Sequence, residues 1–169
     1  MQRSTSVVLV ERFQYQLIDP QDPVGILESG PGDGYGLLDP HPFLIVRTGT
    51  PWGALRLIVE VHETAPEPDI EAWEEVVEVS LRSLSGELAF ATCESGLTRY
   101  GTPEIAMAPR TWCRVRVHAR GRDVGDQYVD SVPEPVEEHL VQIWPAEPAP
   151  TVAHKLTDAL GRRARAHTA

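Results

Sequence analysis

The sequence predicts an all-β protein: an antiparallel β-sandwich of about seven to eight strands with a short C-terminal α-helix. Three observations lead there. Short runs alternate apolar and polar residues with period two, which sorts side chains onto the two faces of a strand. Fifteen prolines and 13 glycines cut the 169 residues into such runs. Near the C-terminus the apolar spacing changes to that of a helix.

Residues 6–18 form the first strand region. Its later part, Phe13-Gln14-Tyr15-Gln16-Leu17, sets Phe13, Tyr15 and Leu17 on one face, and Asp19-Pro20 ends it. Residues 19–42 read as loop, with a partial strand at 25–28. The glycine-rich run at 30–36 lacks the Gly-Lys-Ser/Thr ending of a phosphate-binding loop, and no amphipathic helix follows it. Residues 43–47 and 54–62 read as a hairpin around a turn at 48–53. Leu55, Leu57, Val59 and Val61 take one face of its second strand; Arg56, Ile58, Glu60 and His62 take the other. An acidic connection at 63–70 leads to a second expected hairpin, 74–82 with 87–91.

After an irregular stretch at 92–111, residues 112–120 alternate without a break. Cys113, Val115, Val117 and Ala119 oppose Trp112, Arg114, Arg116, His118 and Arg120. An acidic loop at 121–135 precedes a last strand at 136–144, apolar on both faces and therefore central. Thr151 would cap a helix over 152–166 with Val152, Leu156, Ala159 and Leu160 as its stripe and Arg162, Arg163 and Arg165 in its last turn. The domain organisation is a β-domain at 1–146, a proline-rich linker at 147–150 and a basic helix and tail at 151–169.

The net charge is −10, unevenly spread. Residues 150–169 hold Lys155, Arg162, Arg163 and Arg165 against Asp158, so the tail carries +3 and the body −13. An acidic body repels nucleic-acid phosphate and attracts a basic partner. No run approaches the roughly 18 apolar residues of a membrane helix. The apolar stretch at 7–10 is shorter than the roughly 7 to 15 residues of a secretory signal. A cytoplasmic protein is expected. Cys93 and Cys113 lack metal or redox spacing and read as reduced thiols. Lys155 is the single lysine beside 14 arginines, a bias of high-GC bacterial coding.

The motifs give no recognisable catalytic or cofactor signature, and no cofactor is expected. Glu74-Glu75 and Glu137-Glu138 are adjacent carboxylate pairs, but neighbours on a strand face opposite sides and cannot act as an acid–base couple. His62, His118 and His139 fall on predicted strands, facing away from the core, without short metal-ligand spacing. If the strands at 74–82 and 112–120 are neighbours, Glu74 and Glu78 oppose Arg114, Arg116 and Arg120. That makes either a salt-bridged face or an anion-binding one.

Several features in order resemble the competence-protein-J-like nuclease inhibitors of bacteria. They are an aromatic-Gln-aromatic first strand (Phe13-Gln14-Tyr15), a glycine-containing loop, a hairpin around Thr48 to Gly53, the strand Glu78-Val79-Ser80-Leu81, and the alternating strand at 113–119. The resemblance covers residues 10–145. It implies a β-sandwich that binds and blocks a partner nuclease.

The first expectation is therefore a non-enzymatic binding protein that masks a basic partner such as a nuclease or toxin. Its contact surface would be Glu63, Glu67, Asp69, Glu71 and Glu74, with Asp126, Asp130 and Glu134 as a second patch. The alternatives are a small-molecule or cryptic hydrolase site at His62, Glu78, Arg114, Arg116 and His118, and an assembly component docking through its C-terminal helix.

Overall fold

A computed structural model describes residues 1–21, 36–40, 43–92, 96–98 and 105–168. The expected partial strand at 25–28, the glycine-rich run at 30–35, His41 and Cys93 lie outside them.

The structure is mostly β, as expected, but it is one mixed sheet and not two antiparallel ones. The strands are β1 (Gln2–Glu11), β2 (Gln14–Ile18), β3 (Leu38–Pro40), β4 (Leu44–Arg47), β5 (Trp52–Val61), β6 (Glu75–Ser83), β7 (Glu87–Thr92), β8 (Gly96–Thr98), β9 (Ile105–Ala106), β10 (Thr111–Arg120), β11 (Ser131–Val132), β12 (Glu138–Pro145) and β13 (Val152–Leu156). Among the described residues these are accompanied by two helices, α1 (Arg122–Gly125) and α2 (Ala159–Thr168). The main path runs β13-β6-β10-β12-β5-β1-β2-β4-β3 and curls into a half-barrel. β12 and β11 pair parallel to β5, while the other described pairings are antiparallel.

Neither expected hairpin forms. β4 pairs β2 and β3, whereas both edges of β5 are taken by β1 and β12. β6 lies between β10 and β13, while β7 crosses to β2. The turns after β4 and β6 are thus corners at which the chain changes sides. Asp19 pins the second corner. Its carboxylate accepts hydrogen bonds from Ser83 Oγ (3.0 Å), Ser85 N (2.7 Å), Ser85 Oγ (2.6 Å) and Gln21 N (3.0 Å). Burial opposes its charge, but these bonds outweigh it and hold the carboxyl at about 2. A two-residue hairpin joins β1 to β2 through Arg12 (φ 55°) and Phe13 (φ 59°), the two positive-φ residues of a type I′ turn. Phe13 therefore leaves the face of Tyr15 and Leu17 and is 45% exposed.

The core fills the concave side. Val8 and Val10 of β1, Tyr15 and Leu17 of β2, Leu55, Leu57 and Val59 of β5, Val77, Val79 and Leu81 of β6, Val115 and Val117 of β10, and Val141 and Ile143 of β12 all face it. β12 is central, between β10 and β5. The C-terminal segment differs from the expected single helix. Residues 152–156 instead add a strand to the edge of β6, with a bulge between Ala153 and Lys155, and the helix begins only at Ala159. An open β6 edge supplies ladder partners that an isolated helix turn would lack. Among the described residues no helix is long and apolar enough to cross a membrane.

Candidate functional site

The convex face carries a polar row across five strands. Register places Glu78 opposite Arg116, Arg116 opposite Gln142, Gln142 opposite Glu60, and Glu60 opposite Arg3. Each neighbour is bonded to the next. Arg116 Nε donates to Glu78 (2.9 Å) and its Nη1 to Gln142 Oε1 (3.2 Å). Gln142 Nε2 donates to Glu60 (2.8 Å), which also accepts from Arg3 (3.0 Å) and His62 Nε2 (3.0 Å). Arg114 Nε (2.8 Å) and His154 Nε2 (3.1 Å) complete the shell around Glu78. Burial opposes charge on Glu60 and Glu78, but the hydrogen bonds and cations prevail and lower both carboxyls.

Two segments cover this row. Pro66 O accepts from Arg116, and Ala149 O and Pro150 O accept from Arg114. The guanidinium-bearing residues are left 3% and 4% exposed. The sheet therefore brings Glu78, Arg114 and Arg116 together as expected, with His62 joined at the far end through Glu60. It puts His118 elsewhere. His118 is buried under Trp73 (ring centroids 5.5 Å apart), with Nδ1 donating to Leu140 O (3.3 Å), and burial pushes it down to about 4. Glu74 does not join the arginines either; it accepts from Gly121 N (2.8 Å).

The strap over this face, residues 62–74, is anchored by Ile70 and Trp73, which pack on Ile58, Val76 and Leu140. Between these anchors and the start of the strap, Glu63, Glu67, Asp69 and Glu71 are exposed and make no ion pair among the described residues. In the second expected patch, Asp130 and Glu134 are exposed, but Asp126 is bound to Arg163 of α2.

Sequence reasoning missed two buried clusters. His139 faces inward, contrary to expectation. Its Nε2 donates to Glu137 (2.8 Å), and Tyr15 Oη donates to its Nδ1 (3.1 Å). Glu137 also accepts from Gly49 N (3.1 Å), Thr50 N (2.8 Å) and Thr50 Oγ1 (2.8 Å). A Cβ at Gly49 would lie 1.9 Å from Arg122 O, so only glycine lets this loop close on α1. Burial, then the Glu137 charge, pushes the Tyr15 phenol well up. All three groups are sealed in the interior, so the arrangement is a structural lock. The adjacency of Glu137 and Glu138 was the available signal, because one of two neighbours on a strand must face in.

The second cluster docks α2. Asp158 caps it through Gly161 N (2.6 Å), and Asp123 of α1 accepts from Ala159 N (2.9 Å) and Leu160 N (2.8 Å). Arg122 binds Asp158 (3.0 Å), and Arg165 binds Glu75 (3.1 Å). Burial, then the neighbouring Asp158 carboxylate, pushes Glu75 up to about 7.

No protein-family model matches the chain, and no curated protein does. Solved structures do. The fold is shared with ComJ from Bacillus subtilis. That protein, an inhibitor of the DNA-degrading activity of NucA, aligns with a TM-score of 0.54 at 5% identity, over 86% of this chain and 96% of its own. The product of crocagin biosynthetic gene J aligns with a TM-score of 0.51 at 13% identity, over 87% of this chain and all of its own. At such identities the likeness is one of fold. It agrees with the family resemblance read from the strand order.

Proposed function

We propose that this protein is a non-enzymatic binding protein that masks a basic protein partner, with a nuclease as the favoured class. The observation that carries the reading is the separation of its acidic groups. Glu60, Glu75, Glu78, Glu137 and Asp158 are consumed by internal bonds, whereas Glu63, Glu67, Asp69 and Glu71 stand exposed on one strap. An exposed single-sign strap on a rigid sheet suits fast, salt-sensitive capture of a basic surface. The shared fold with a nuclease inhibitor supports the partner class.

The test is capture of partners from the source lysate at low and high salt, followed by a DNA-degradation assay on the recovered protein with and without this chain. The expected result is a stoichiometric basic protein, released by salt, whose DNA cleavage is blocked. Reversal of Glu63, Glu67, Asp69 and Glu71 to lysine should abolish capture and leave the melting temperature unchanged. Undiminished capture by that variant sinks the assignment of the strap.

A ligand site at His62, Glu78, Arg114, Arg116 and His118 has less in its favour, because Glu78 is already held by two arginines and a histidine. Docking through α2 has less as well, since Arg163 and Arg165 are paired to the body.

A further inference from the structure

We propose that the second edge of β1 is a self-association surface, on which another copy of this chain pairs antiparallel about a two-fold axis at Ser6. This goes beyond the masking role and uses a different part of the molecule.

β1 pairs with β5 along its whole length, Gln2 through Glu11, without a register shift. On its other side, among the described residues, only Glu11 is paired, to Gln14 across the type I′ turn. That closing pair turns the N–H and C=O of Glu11 towards β2. Alternation along the strand then turns those of Leu9, Val7, Thr5 and Arg3 to the same side, away from β5. Four residues thus present backbone donors and acceptors along an edge.

Natural edges are guarded by charge, proline or a bulge. Residues 4–10, Ser-Thr-Ser-Val-Val-Leu-Val, have none of these, and Val7 and Leu9 are 53% and 57% exposed. The stretch is also uncharged on a chain whose net charge is −10, so two copies can meet there with the least repulsion.

Among the described residues only the hairpin at Glu11 pairs with this edge, so the unpaired span runs from Gln2 to Val10. The midpoint of that span is Ser6. Pairing about Ser6 sets Thr5 opposite Val7 and Arg3 opposite Leu9 as hydrogen-bonded pairs, with Ser6 opposite its own copy in a non-hydrogen-bonded pair. Side chains come closest in such pairs. The hydroxyls of Ser4 and Ser6 are buried on the inner side and have no hydrogen-bond partner among the described residues. Across the axis the two Ser6 hydroxyls can bond each other.

Sedimentation equilibrium on the full chain, over a wide concentration range at low and high NaCl, reads the association. A dimer is expected, tightened by salt because salt screens the repulsion between two copies of charge −10. Val7→Lys sets two like charges beside the axis and should weaken the dimer by on the order of tenfold or more, with an unchanged melting curve at dilutions where both proteins are monomeric. Ser6→Cys in a Cys93→Ser background should link copies by a disulfide on oxidation, since paired Cα atoms about 4.5 Å apart are within bridging range. Ser4→Cys should not. A monomer under all conditions overturns the proposal, whether or not other proteins add a strand there. So does cross-linking through Ser4→Cys as readily as through Ser6→Cys.

Discussion

Glu75 and Glu78 lie three residues apart on β6 and have opposite electrostatic fates. Glu78 faces the convex side and meets two arginines and a histidine, which lower its carboxyl. Glu75 faces the concave side and shares its site with Asp158, and its carboxyl rises to about 7. Both are buried and both touch a cation; at Glu75 burial, reinforced by the Asp158 carboxylate, outweighs Arg165, whereas at Glu78 two arginines and a histidine outweigh burial. The outer cluster has cations to spare and binds the strap and the 147–150 segment through their carbonyls. The inner one is nearly balanced and holds α2 against the body.

The largest effect should come from removing the inner cation. Arg122→Leu leaves Asp158 and Glu75 with Arg165 alone, at a cost of about 3–5 kcal/mol. The melting temperature should fall by roughly 10 °C, and hydrogen exchange should show α2 released from the sheet. Unchanged exchange in 159–168 would break the assignment of this cluster as the α2 dock. Next comes Glu78→Leu, which leaves the Arg114 and Arg116 guanidiniums without their shared carboxylate. A loss of about 3 kcal/mol is expected, with protection lost in the strap and in β13 but kept in α2.

The two faces should also answer pH with opposite signs. Glu75 has a raised pKa, so between its ordinary value of 4.5 and about 7 the folded state binds more protons than the unfolded one. Its contribution to stability is present at low pH and lost as pH rises through that window. Glu78 and Glu60 have lowered pKa values, and their contribution is lost as pH falls below 4.5. His118, depressed from 6.5 to about 4, adds a loss as pH falls through that interval. Measured by denaturant unfolding, the stability of Glu75→Gln relative to the parent should rise by on the order of 2 kcal/mol between pH 4.5 and 7, because the opposing His118 contribution is common to both. Equal slopes would mean that Glu75 is ionised throughout. The smallest effect belongs to the exposed pair Arg163–Asp126, where Arg163→Ala should cost under about 1 kcal/mol in the same assay.

Much of the outer face was legible in the sequence. Alternation in 112–120 and 74–82 put Glu78 with Arg114 and Arg116, and the strands are neighbours in matching register. Trp73 was not legible as an anchor, because a lone aromatic in an acidic connection carries no period. Arg122 was not legible either. It follows a glycine in a loop, and only the approach of Asp158 makes its burial tolerable. Residues 152–156 were read as helix because five residues hold too little period to separate strand from helix, and the edge of β6 decided between them.

By itself the sequence determined which side chains share a face within the alternating runs at 54–62, 74–82 and 112–120, and where its acid lies, because these follow from spacing of one or two residues. The turn at Arg12-Phe13 and the inward face of His139 it did not determine. The tertiary structure alone decided which strands are neighbours. Period two sorts the sides of β5 but says nothing about whether β4 or β1 lies beside it, since backbone hydrogen bonds are the same for every candidate. That choice was made by burial of the whole concave face, with β12 running parallel beside β5. It turned an expected sandwich of hairpins into one curled sheet.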